Sequence, residues 1–395
     1  MTKKVYIIDG VRTPIGNFGG SLKSYSAVDL GMILIKEIVK RNNLKNDSAN
    51  GVILGNVLQA GLGQNPSRQC SINAGLSFKI PCITINNVCG SGMKSVDIAY
   101  RNILAGYGDI YIAGGIESMS RAPYLLKDAR WGYRFKDNVI IDEMNCDGLL
   151  CPYSNMHMGK LADNMAKKYE ISREIQDEFS VLSHSKAIKA IKEKKFFEEI
   201  IPVNILDKKG VIVSKFNNDE HPREDSTLEK LLSIKPAFSK DGTITAGNSA
   251  GISDGAAVLL IASEKMIKKL NLNPVVEIIS ISDVGVKPEL FGEAPVQAVK
   301  KILSETNLEI NDMELFELNE AFAAQAIFVI NKLKINKEIV NVNGGAIALG
   351  HPIGTSGTRI IITLINEMVK RKSKIGLASI CIGSGEGMAI VVKKA

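Results

Sequence analysis

The apolar positions along residues 1–120 switch repeatedly between short continuous runs and a helical spacing. Short runs rich in Val and Ile, bounded by Gly, Pro or Asn, are typical of buried strands, and longer stretches with an apolar stripe are typical of helices. The pattern predicts strands at VYIID, GVILGNVLQ, CITINNV and DIYIAGG, and helices at SAVDLGMILIKEIVKRN, PSRQCSINAGL and GMKSVDIAYRNILAG. Strands that alternate with helices in this way build a mostly parallel sheet covered by helices.

The same order of elements recurs from about residue 272 to the end of the chain. The predicted strands are PVVEIISISDV, ELFELN, EIVNVNGG, KIGLASICIG and GMAIVVKK, and the predicted helices are APVQAVKKILSE, EAFAAQAIFVINKL and GTSGTRIIITLINEMVK. Two long copies indicate an internal duplication rather than a solenoid of short repeats. The helix at 321–333 is apolar on nearly every face, which predicts that it is buried between layers.

A segment of different character separates the two copies. It contains weak strand patterns, a lysine-rich helix, long polar loops and the only tryptophan, Trp131. Inserted segments of this kind commonly build binding sites. The predicted organisation is an N-terminal half at 1–120 that is completed by about 249–271, an inserted loop domain at 121–248 that lies over the sheets, and a C-terminal half at 272–395.

Composition adds little to this picture and excludes some classes. With 395 residues, 45% hydrophobic and 23% charged, the chain is ordinary for a soluble protein of more than one domain. The apolar run in MTKKVYIIDGVRTP is too short for a signal peptide and is better interpreted as a first strand. No run approaches the ~20 apolar residues of a membrane helix, so we expect a cytoplasmic protein that does not bind membranes.

The cysteine and histidine spacing and the net charge limit the ligands that the chain is expected to bind. Six cysteines form no C-x-x-C pair and four histidines show no ligand spacing, so no metal site is expected. The net charge of +7 is explained either by a solvated lysine-rich surface or by attraction to an anionic ligand such as a nucleotide or phosphate ester. Because basic residues do not interleave with aromatic ones, we expect no nucleic-acid partner.

Cys89 lies where a predicted strand ends and a helix begins, and Gly-Ser-Gly follows it. A helix N-terminus stabilises an anion by about 0.3–1 kcal/mol, at best ~2 kcal/mol, and one pKa unit corresponds to about 1.4 kcal/mol. We therefore expect the pKa of this thiol to fall from about 8.5 to about 7, which leaves a partial thiolate that needs a base. On this segment alone, a buried structural cysteine at a tight turn stays an open alternative.

Three further predicted strand ends offer one polar group each. His351 lies in a glycine-rich loop that matches neither phosphate-binding fingerprint, Cys381 precedes glycines whose N–H groups suit an oxyanion, and Asn319 precedes Glu320 at a strand-to-helix junction. The alternatives are a structural loop histidine, a core cysteine and a helix N-cap by Asn319. Ligands of α/β sheets bind beyond the carboxyl ends of strands, so two duplicated sheets that face each other would bring these groups and Cys89 together.

At this point the motifs resemble a known family. NNVCGSGMKSV, GGIESMSRAPY, NEAFA, NGGAIALGHPIGTSGTR and CIGSGEGMA are similar to blocks of the thiolases, especially the short-chain acetyl-CoA acetyltransferases. The similarity runs from VRTPIGNFGGSL almost to the end of the chain. It implies an α/β fold of two duplicated βαβαβαββ halves that form a five-layer α/β/α/β/α sandwich with an inserted loop domain.

The resemblance also implies a role for each polar group. Cys89 matches the cysteine that is acylated, His351 the histidine that takes its proton, and Cys381 the cysteine that moves a proton at the α-carbon of the second substrate. Asn319 matches the asparagine that holds a water in one oxyanion hole together with the histidine. The backbone N–H groups of Cys89 and Gly383 match the other hole.

The implied reaction is the Claisen condensation of two acetyl-CoA to acetoacetyl-CoA and CoA, and the reverse thiolysis, through an acetyl-Cys89 intermediate. No cofactor or metal is implied beyond the coenzyme A thioesters, and the family forms homotetramers, with the Trp131 region as the tetramer contact. By the same resemblance, the residues that contact the CoA thioester are Leu149, His157, Met158, Arg223, Phe238, Ala246, Ser249, Ala250, Ala321 and Phe322.

The chain departs from the family pattern at a few positions. Ala250 stands where a serine is usual, so one hydrogen bond of about 0.5–1.5 kcal/mol is lost or moves to Ser249. Ser384 and Glu386 stand where glycine and glutamine are usual, and Ser384 fits without strain only at negative φ. Phe291 replaces a common methionine and is expected to narrow the acyl end.

Three alternatives remain distinguishable. A decarboxylating β-ketoacyl synthase shares the duplicated fold and a cysteine but lacks the Cys-Ile-Gly turn that contains Cys381. A non-catalytic CoA- or lipid-binding protein would have lost at least one of the four polar groups. The chemistry alone also suits a cysteine hydrolase, which would need a route for water to the acyl-enzyme.

Overall fold

The computed structural model of the chain describes residues 3–135 and 137–395. Its first part has the predicted alternation of strands and helices. The strands predicted at GVILGNVLQ and CITINNV end early, where polar residues leave the sheet for loops, whereas those predicted at VYIID and DIYIAGG continue to Arg12 and Ser118. The elements are β1 (Val5–Arg12), β2 (Gly16–Asn17), α1 (Ala27–Arg41), β3 (Gly51–Gly55), α2 (Pro66–Asn73), β4 (Cys82–Ile85), α3 (Ser91–Ala105) and β5 (Ile110–Ser118).

The middle of the chain forms helices and small two-stranded sheets, after which a long buried strand returns to the main sheet. The division at residues 121, 249 and 272 stays a prediction. The elements are β6 (Tyr124–Leu125), β7 (Ile141–Asp142), β8 (Leu150–Cys151), β9 (Met156–His157), α4 (Met158–Lys168), α5 (Arg173–Lys192), β10 (Val203–Leu206), β11 (Ile212–Phe216), α6 (Leu228–Leu232), β12 (Ser253–Ser263) and α7 (Glu264–Leu270).

The last part repeats the order of the first. Helix α9 is buried along nearly all of its length, as its apolar sequence predicts. The elements are β13 (Val276–Gly285), α8 (Ala294–Thr306), β14 (Leu315–Leu318), α9 (Ala323–Leu333), α10 (Ala346–Leu349), α11 (Ser356–Arg371), β15 (Ile375–Ile382) and β16 (Glu386–Lys394).

One predicted strand of this half is wrong. EIVNVNGG forms a short 3-10 turn, and only Val340 makes a single bridge, to Phe316. Asn341 has a positive φ of 43°, which takes the backbone out of the strand conformation. Its side-chain amide completes the pairing instead, since Oδ1 accepts from Leu318 N at 2.8 Å and Nδ2 donates to Leu318 O at 2.9 Å.

The sheet order shows the duplication. The main path runs β14–β15–β16–β13–β1–β12–β5–β3–β4, and β2 pairs with β12. Counted inward from the outer edge, β3, β5, β12 and β1 of the N-terminal half correspond to β14, β15, β16 and β13 of the C-terminal half. The outermost strand of the N-terminal half, β4, has only the single bridge at Val340 as its counterpart. The expectation of two separate facing sheets is wrong in detail, because β1 and β13 pair at Tyr6–Glu277 and Ile7–Val276 and join the halves.

Three apolar clusters separate five layers. Helices α3 and α11 share one cluster with strands of both halves, so they form the central layer. Helices α1 and α2 cover the outer face of the N-terminal strands, and α8 and α9 cover the outer face of the C-terminal strands. Alternate residues of one strand enter different clusters, as Val258 and Leu259 do in β12. The five-layer prediction is therefore confirmed.

A buried ionic network ties the end of β1 to the middle segment. The guanidinium of Arg12 donates to both carboxylate oxygens of Asp219, at 2.7 and 2.9 Å, and to Glu199 at 2.7 Å. Burial lowers the pKa of Arg12, but the charges of Asp219 and Glu199 outweigh it and hold the pKa above its ordinary value. Asp219 also accepts the N–H of Ile15 at 2.8 Å. The network fixes the chain just before Arg223.

We expect Asp219→Asn to lower the free energy of unfolding by about 3 kcal/mol, because the charge of Arg12 stays buried with one of its two carboxylates removed. Denaturant unfolding followed by circular dichroism measures the change. Glu264→Gln is the matched control, since it breaks only the exposed pair with Lys268 and should leave stability almost unchanged. Equal effects of the two substitutions would contradict this assignment.

Candidate active site

A cavity of about 620 Å³ opens where the two halves and the middle segment meet. Side chains from strand ends of both halves and from the middle loops line it. All ten predicted CoA-contact residues lie on its wall, and so do four of the five predicted catalytic residues: Cys89, His351, Cys381 and Gly383. The fifth, Asn319, lies behind His351, with its Nδ2 atom 3.4 Å from Nε2 of the imidazole.

Cys89 sits on a strained turn between β4 and α3. The preceding residue, Val88, has φ 44°, a conformation that is costly for a β-branched side chain. Ser91 stabilises the turn, because its hydroxyl accepts the N–H of Asn87 at 2.8 Å and donates to Val88 O at 2.7 Å. The turn places the thiol on the cavity wall, at the N-terminal end of α3.

The pKa of Cys89 differs from the sequence-based expectation. Protein surrounds the thiol except where it meets the cavity, and this burial raises its pKa to about 11. Hydrogen bonds from the N–H groups of Gly383 and of Cys89 itself act in the opposite direction, and the charge of Glu117 raises the pKa further. The predicted fall to about 7 is wrong, because desolvation of a thiolate outweighs the helix dipole.

His351 is held as a neutral imidazole with one defined tautomer. The hydroxyl of Ser356 donates to Pro352 O at 3.0 Å, so it accepts from Nδ1–H of His351 at 2.6 Å. This leaves Nε2 unprotonated. Burial lowers the pKa of His351 to about 3, so the ring can accept a proton only in exchange with a group inside the site. The backbone N–H of His351 donates to Ser253 Oγ at 3.0 Å.

Asn319 follows β14 and is almost fully buried. It does not cap a helix, since α9 starts at Ala323 with Phe322 as its N-cap residue. Its N–H donates to Ser379 O at 2.9 Å, which fixes the side chain beside His351. Within the described residues, its Oδ1 has no hydrogen-bond partner. A buried amide oxygen of this kind suits a bound water or substrate group.

Cys381 ends strand β15 and reaches the same cavity from the C-terminal half. Burial raises the pKa of its thiol well above the ordinary value, and the charge of a Cys89 thiolate raises it further. The two sulfurs are therefore close enough to influence each other's ionisation.

The turn after Cys381 contains the departures Ser384 and Glu386. Ser384 has φ 68°, so the condition that it fits at negative φ fails, and a side chain occupies a left-handed position usually held by glycine. Glu386 is exposed and lies outside the cavity wall. The backbone after Cys381 therefore carries strain next to the N–H of Gly383, whereas the extra charge points away.

Aromatic rings form one wall of the cavity. His157 stacks on Phe238 with centroids 4.6 Å apart, Phe238 meets Phe322 edge-on at 6.5 Å, and Phe322 meets Phe291 edge-on at 6.2 Å. An apolar corridor of this kind suits an extended alkyl-amide chain. Phe291 lines the cavity and is almost fully buried. That it narrows the acyl end stays a prediction.

The serine next to Ala250 does not replace the missing hydroxyl as a donor. The Ser249 hydroxyl donates to Thr245 O at 2.7 Å, so only its lone pairs remain for a ligand. The N–H of Ala250 is also used, since it donates to Ala321 O at 3.0 Å. Ser249 can therefore accept a hydrogen bond from a ligand, but it cannot donate one while its hydroxyl donates to Thr245 O.

Sequence reasoning missed several residues of the wall. Most of them neighbour predicted ones along the chain, so proximity in sequence was the available signal. One of them is His221, whose Nε2 lies 2.9 Å from Ser253 Oγ, the same atom that accepts the N–H of His351. The missed residues are Asn17, Phe18, Met119, Gly148, His221, Ala237, Gly251, Ile252 and Ile353.

Neither a metal-binding cluster nor a membrane-spanning helix occurs in the part of the chain that the structure describes. Within 3–135 and 137–395, no group of three or more His, Cys, Asp or Glu side chains could hold a metal ion. That the enzyme uses no cofactor stays a prediction. No helix in the same part of the chain is long and apolar enough to cross a membrane.

Two thiols, an imidazole and backbone N–H donors lie around one apolar corridor, an arrangement that suits nucleophilic acyl chemistry. The family models "Thiolase, N-terminal domain" and "Thiolase, C-terminal domain" match residues 5–265 and 272–394. The chain therefore belongs to the thiolase family and is an acyltransferase. Family membership decides against a β-ketoacyl synthase and against a non-catalytic binding protein.

Individual relatives agree with this family. The chain is 47% identical over 393 residues to a "Probable acetyl-CoA acyltransferase" of Staphylococcus aureus strain MRSA252, and equally to that of strain COL, covering 99% of each chain. A crystal structure of the Bacillus anthracis acetyl-CoA acetyltransferase matches with a TM-score of 0.96 and 40% identity, over 100% of this chain and 99% of that one.

We expect alkylation of Cys89 by iodoacetamide in the free enzyme to accelerate with pH well beyond 8.5, the ordinary thiol pKa, towards the raised value of about 11. Only the thiolate reacts, and burial disfavours it. Mass spectrometry of the peptide that contains Cys89 gives the rate at each pH. A rate that reaches its plateau near pH 7 would contradict the raised pKa.

Proposed function

We propose that this thiolase is an acetyl-CoA acetyltransferase that condenses two acetyl-CoA to acetoacetyl-CoA and CoA, and catalyses the reverse thiolysis, through an acetyl-Cys89 intermediate. The observation that carries the proposal is the meeting of Cys89, Cys381 and His351 on one cavity wall, with the N–H of Gly383 at the Cys89 thiol. The names of the relatives, which refer to acetyl-CoA, support the choice of substrate.

The first half-reaction transfers the acetyl group to Cys89. Nε2 of His351 takes the thiol proton while the sulfur attacks the thioester carbonyl, and the same proton then goes to the departing CoA thiolate. The developing oxyanion accepts hydrogen bonds from the N–H groups of Cys89 and Gly383. Coupling the proton transfer to the attack avoids a free thiolate, which the raised pKa of Cys89 disfavours.

The second half-reaction forms the carbon–carbon bond. Cys381 gives its proton to His351, and its thiolate removes the α-proton of a second acetyl-CoA. The imidazolium and a water held by Asn319 stabilise the enolate oxygen, an effect that is worth several kcal/mol in known oxyanion holes. The enolate attacks the acetyl group, the Cys89 thiolate leaves, and it recovers the proton of His351.

The cavity wall supports CoA as the carrier of the acetyl group. The aromatic corridor from His157 to Phe291 suits the pantetheine arm, and Arg223 lies on the same wall, where its guanidinium would face the adenine end. The net charge of +7 favours a ligand with several phosphates. We propose the ten predicted wall residues as the CoA-binding set.

We also propose a homotetramer in the cytoplasm. The segment at 124–140 carries large apolar side chains that face solvent in the single chain, with Trp131, Phe135 and Val139 exposed to 81, 94 and 71%. Exposure on this scale is typical of a protein contact. The six cysteines, all within the described residues, are free, which suits a reducing compartment.

The direct test is incubation of the protein with acetyl-CoA. We expect Cys89 to gain the mass of one acetyl group, free CoA to appear, and acetoacetyl-CoA to accumulate. Cys89→Ser is the matched control and should show neither adduct nor product, because a serine hydroxyl is far less acidic than a thiol. Free acetate without acetoacetyl-CoA would instead indicate a hydrolase, and the absence of any adduct would overturn the proposal.

Phe291 should limit the acyl chain. We expect Phe291→Ala to raise kcat/KM for butyryl-CoA in acyl transfer by at least about tenfold relative to acetyl-CoA, since removing a buried ring opens space worth more than 1.4 kcal/mol of apolar contact. Phe291→Met is the matched control and should shift the preference less. The ratio of the two kcat/KM values measures the effect, and an unchanged ratio would place the limit elsewhere.

A further inference from the structure

Glu117 is a buried carboxylate that the proposed chemistry does not use. It lies near the end of β5, it is fully buried, and it is not part of the cavity wall. Within residues 3–135 and 137–395, its two oxygens accept hydrogen bonds only from N–H groups, which favour the charged form of a carboxylate. The donors are Asn56 Nδ2 at 2.7 Å, Gly354 N at 2.9 Å, Val57 N at 3.1 Å and Leu58 N at 3.2 Å.

These donors come from both halves of the molecule. Asn56, Val57 and Leu58 follow β3 in the N-terminal half, whereas Gly354 belongs to the turn that follows His351 in the C-terminal half. Within the described residues, Glu117 is therefore a single side chain that binds the histidine turn to the strand ends of the other half. The other anchors of this turn include Thr355 Oγ1, which donates to Gly255 O at 2.8 Å.

The turn after His351 packs so closely against β5 that it cannot move towards that strand. A Cβ atom at Gly354 would lie 2.6 Å from Oε2 of Glu117, and one at Gly115 would lie 2.0 Å from Gly354 O. No side chain separates the turn from β5. The position of the turn therefore depends on the carboxylate that holds it.

The same carboxylate shapes the surroundings of the nucleophile. Val57 and Leu58 form a small apolar cluster with Met119 and Ile353, and Cys89 packs against that cluster. The negative charge of Glu117 is also near enough to raise the pKa of Cys89. Glu117 thus affects both the imidazole that takes the proton and the thiol that gives it.

We propose that Glu117 is a positioning residue that fixes the approach of the His351 imidazole to the Cys89 thiol by binding the N–H of Gly354 and the loop after β3 at once. The inference rests on the proposed acetyl transfer for its kinetic consequence. Its electrostatic consequence, a less acidic Cys89, does not depend on turnover.

Two substitutions of Glu117 separate the effect of its side-chain length from the effect of its negative charge. Glu117→Asp keeps the charge but draws the oxygens back from Gly354, and Glu117→Gln keeps the length but removes the charge and places an amide against N–H donors. For both we expect the rate of CoA release from acetyl-CoA to fall by about 10- to 100-fold, the usual cost of a misplaced base. KM should change by less than about twofold, because Glu117 does not line the cavity.

Alkylation of Cys89 by iodoacetamide supplies the second readout. Burial raises the pKa of Glu117 to about 8. The side chain is therefore charged in the more alkaline range in which Cys89 ionises. We therefore expect Glu117→Gln to lower the apparent pKa for alkylation of Cys89 and Glu117→Asp to leave it close to the wild-type value. A purely structural role would shift neither the apparent pKa nor the ratio of kcat to KM.

Asp97→Asn is the control for loss of a buried carboxylate. Asp97 lies on α3 and pairs with Lys94 and Arg101, away from the cavity wall, so its loss should lower the thermal midpoint without slowing CoA release. Glu117 variants that melt lower but keep wild-type kcat and the wild-type alkylation profile would overturn the proposal. A wild-type enzyme that never releases CoA would refute the acetyl transfer itself, while the alkylation profiles would still decide the role of Glu117.

Discussion

The backbone contact between the turn after His351 and strand β5 is the constraint on which the site depends. The proposed nucleophile, Cys89, belongs to the N-terminal half and its proposed base, His351, to the C-terminal half, so the proposed chemistry requires the two chain segments to touch. Gly115 and Gly354 allow that contact, since a side chain at either position would overlap the opposite backbone or Glu117. The duplication brings corresponding strand ends together, and these glycines let them approach.

Burial determines the protonation states of the side chains in the site. It raises the pKa of Cys89 to about 11 and lowers that of His351 to about 3, so the empty site holds neutral groups. In the proposed mechanism, a thiolate and an imidazolium form only when a substrate oxygen takes up charge within reach of the N–H donors. This arrangement keeps two thiols unreactive towards bulk solvent and reserves their nucleophilicity for a bound thioester.

Much of the fold and of the site was predictable from local pattern. The alternation of apolar runs and helical stripes gave the element order, and the polar groups at strand ends pointed to one site. The expectation of a mostly parallel sheet was wrong, because β14–β15, β3–β4 and β3–β5 pair in parallel whereas the strands between them pair antiparallel. Properties that depend on the folded surroundings were not predictable. The strand expected at Asn341 was wrong because a side-chain amide replaces backbone pairing there, and the pKa of Cys89 was wrong because the depth of burial is set by distant segments. The positive φ of Ser384 and the place of His221 on the wall likewise follow from tertiary contacts.

The central claim is that two cysteines divide the labour, Cys89 carrying the acetyl group and Cys381 handling the α-proton. Cys381→Ala tested with acetyl-CoA in deuterated water addresses this division most directly. The account predicts that Cys89 is still acetylated with stoichiometric release of CoA, while solvent deuterium no longer enters the methyl group of acetyl-CoA and no carbon–carbon bond forms. A variant that exchanges deuterium and condenses at the wild-type rate would contradict the account.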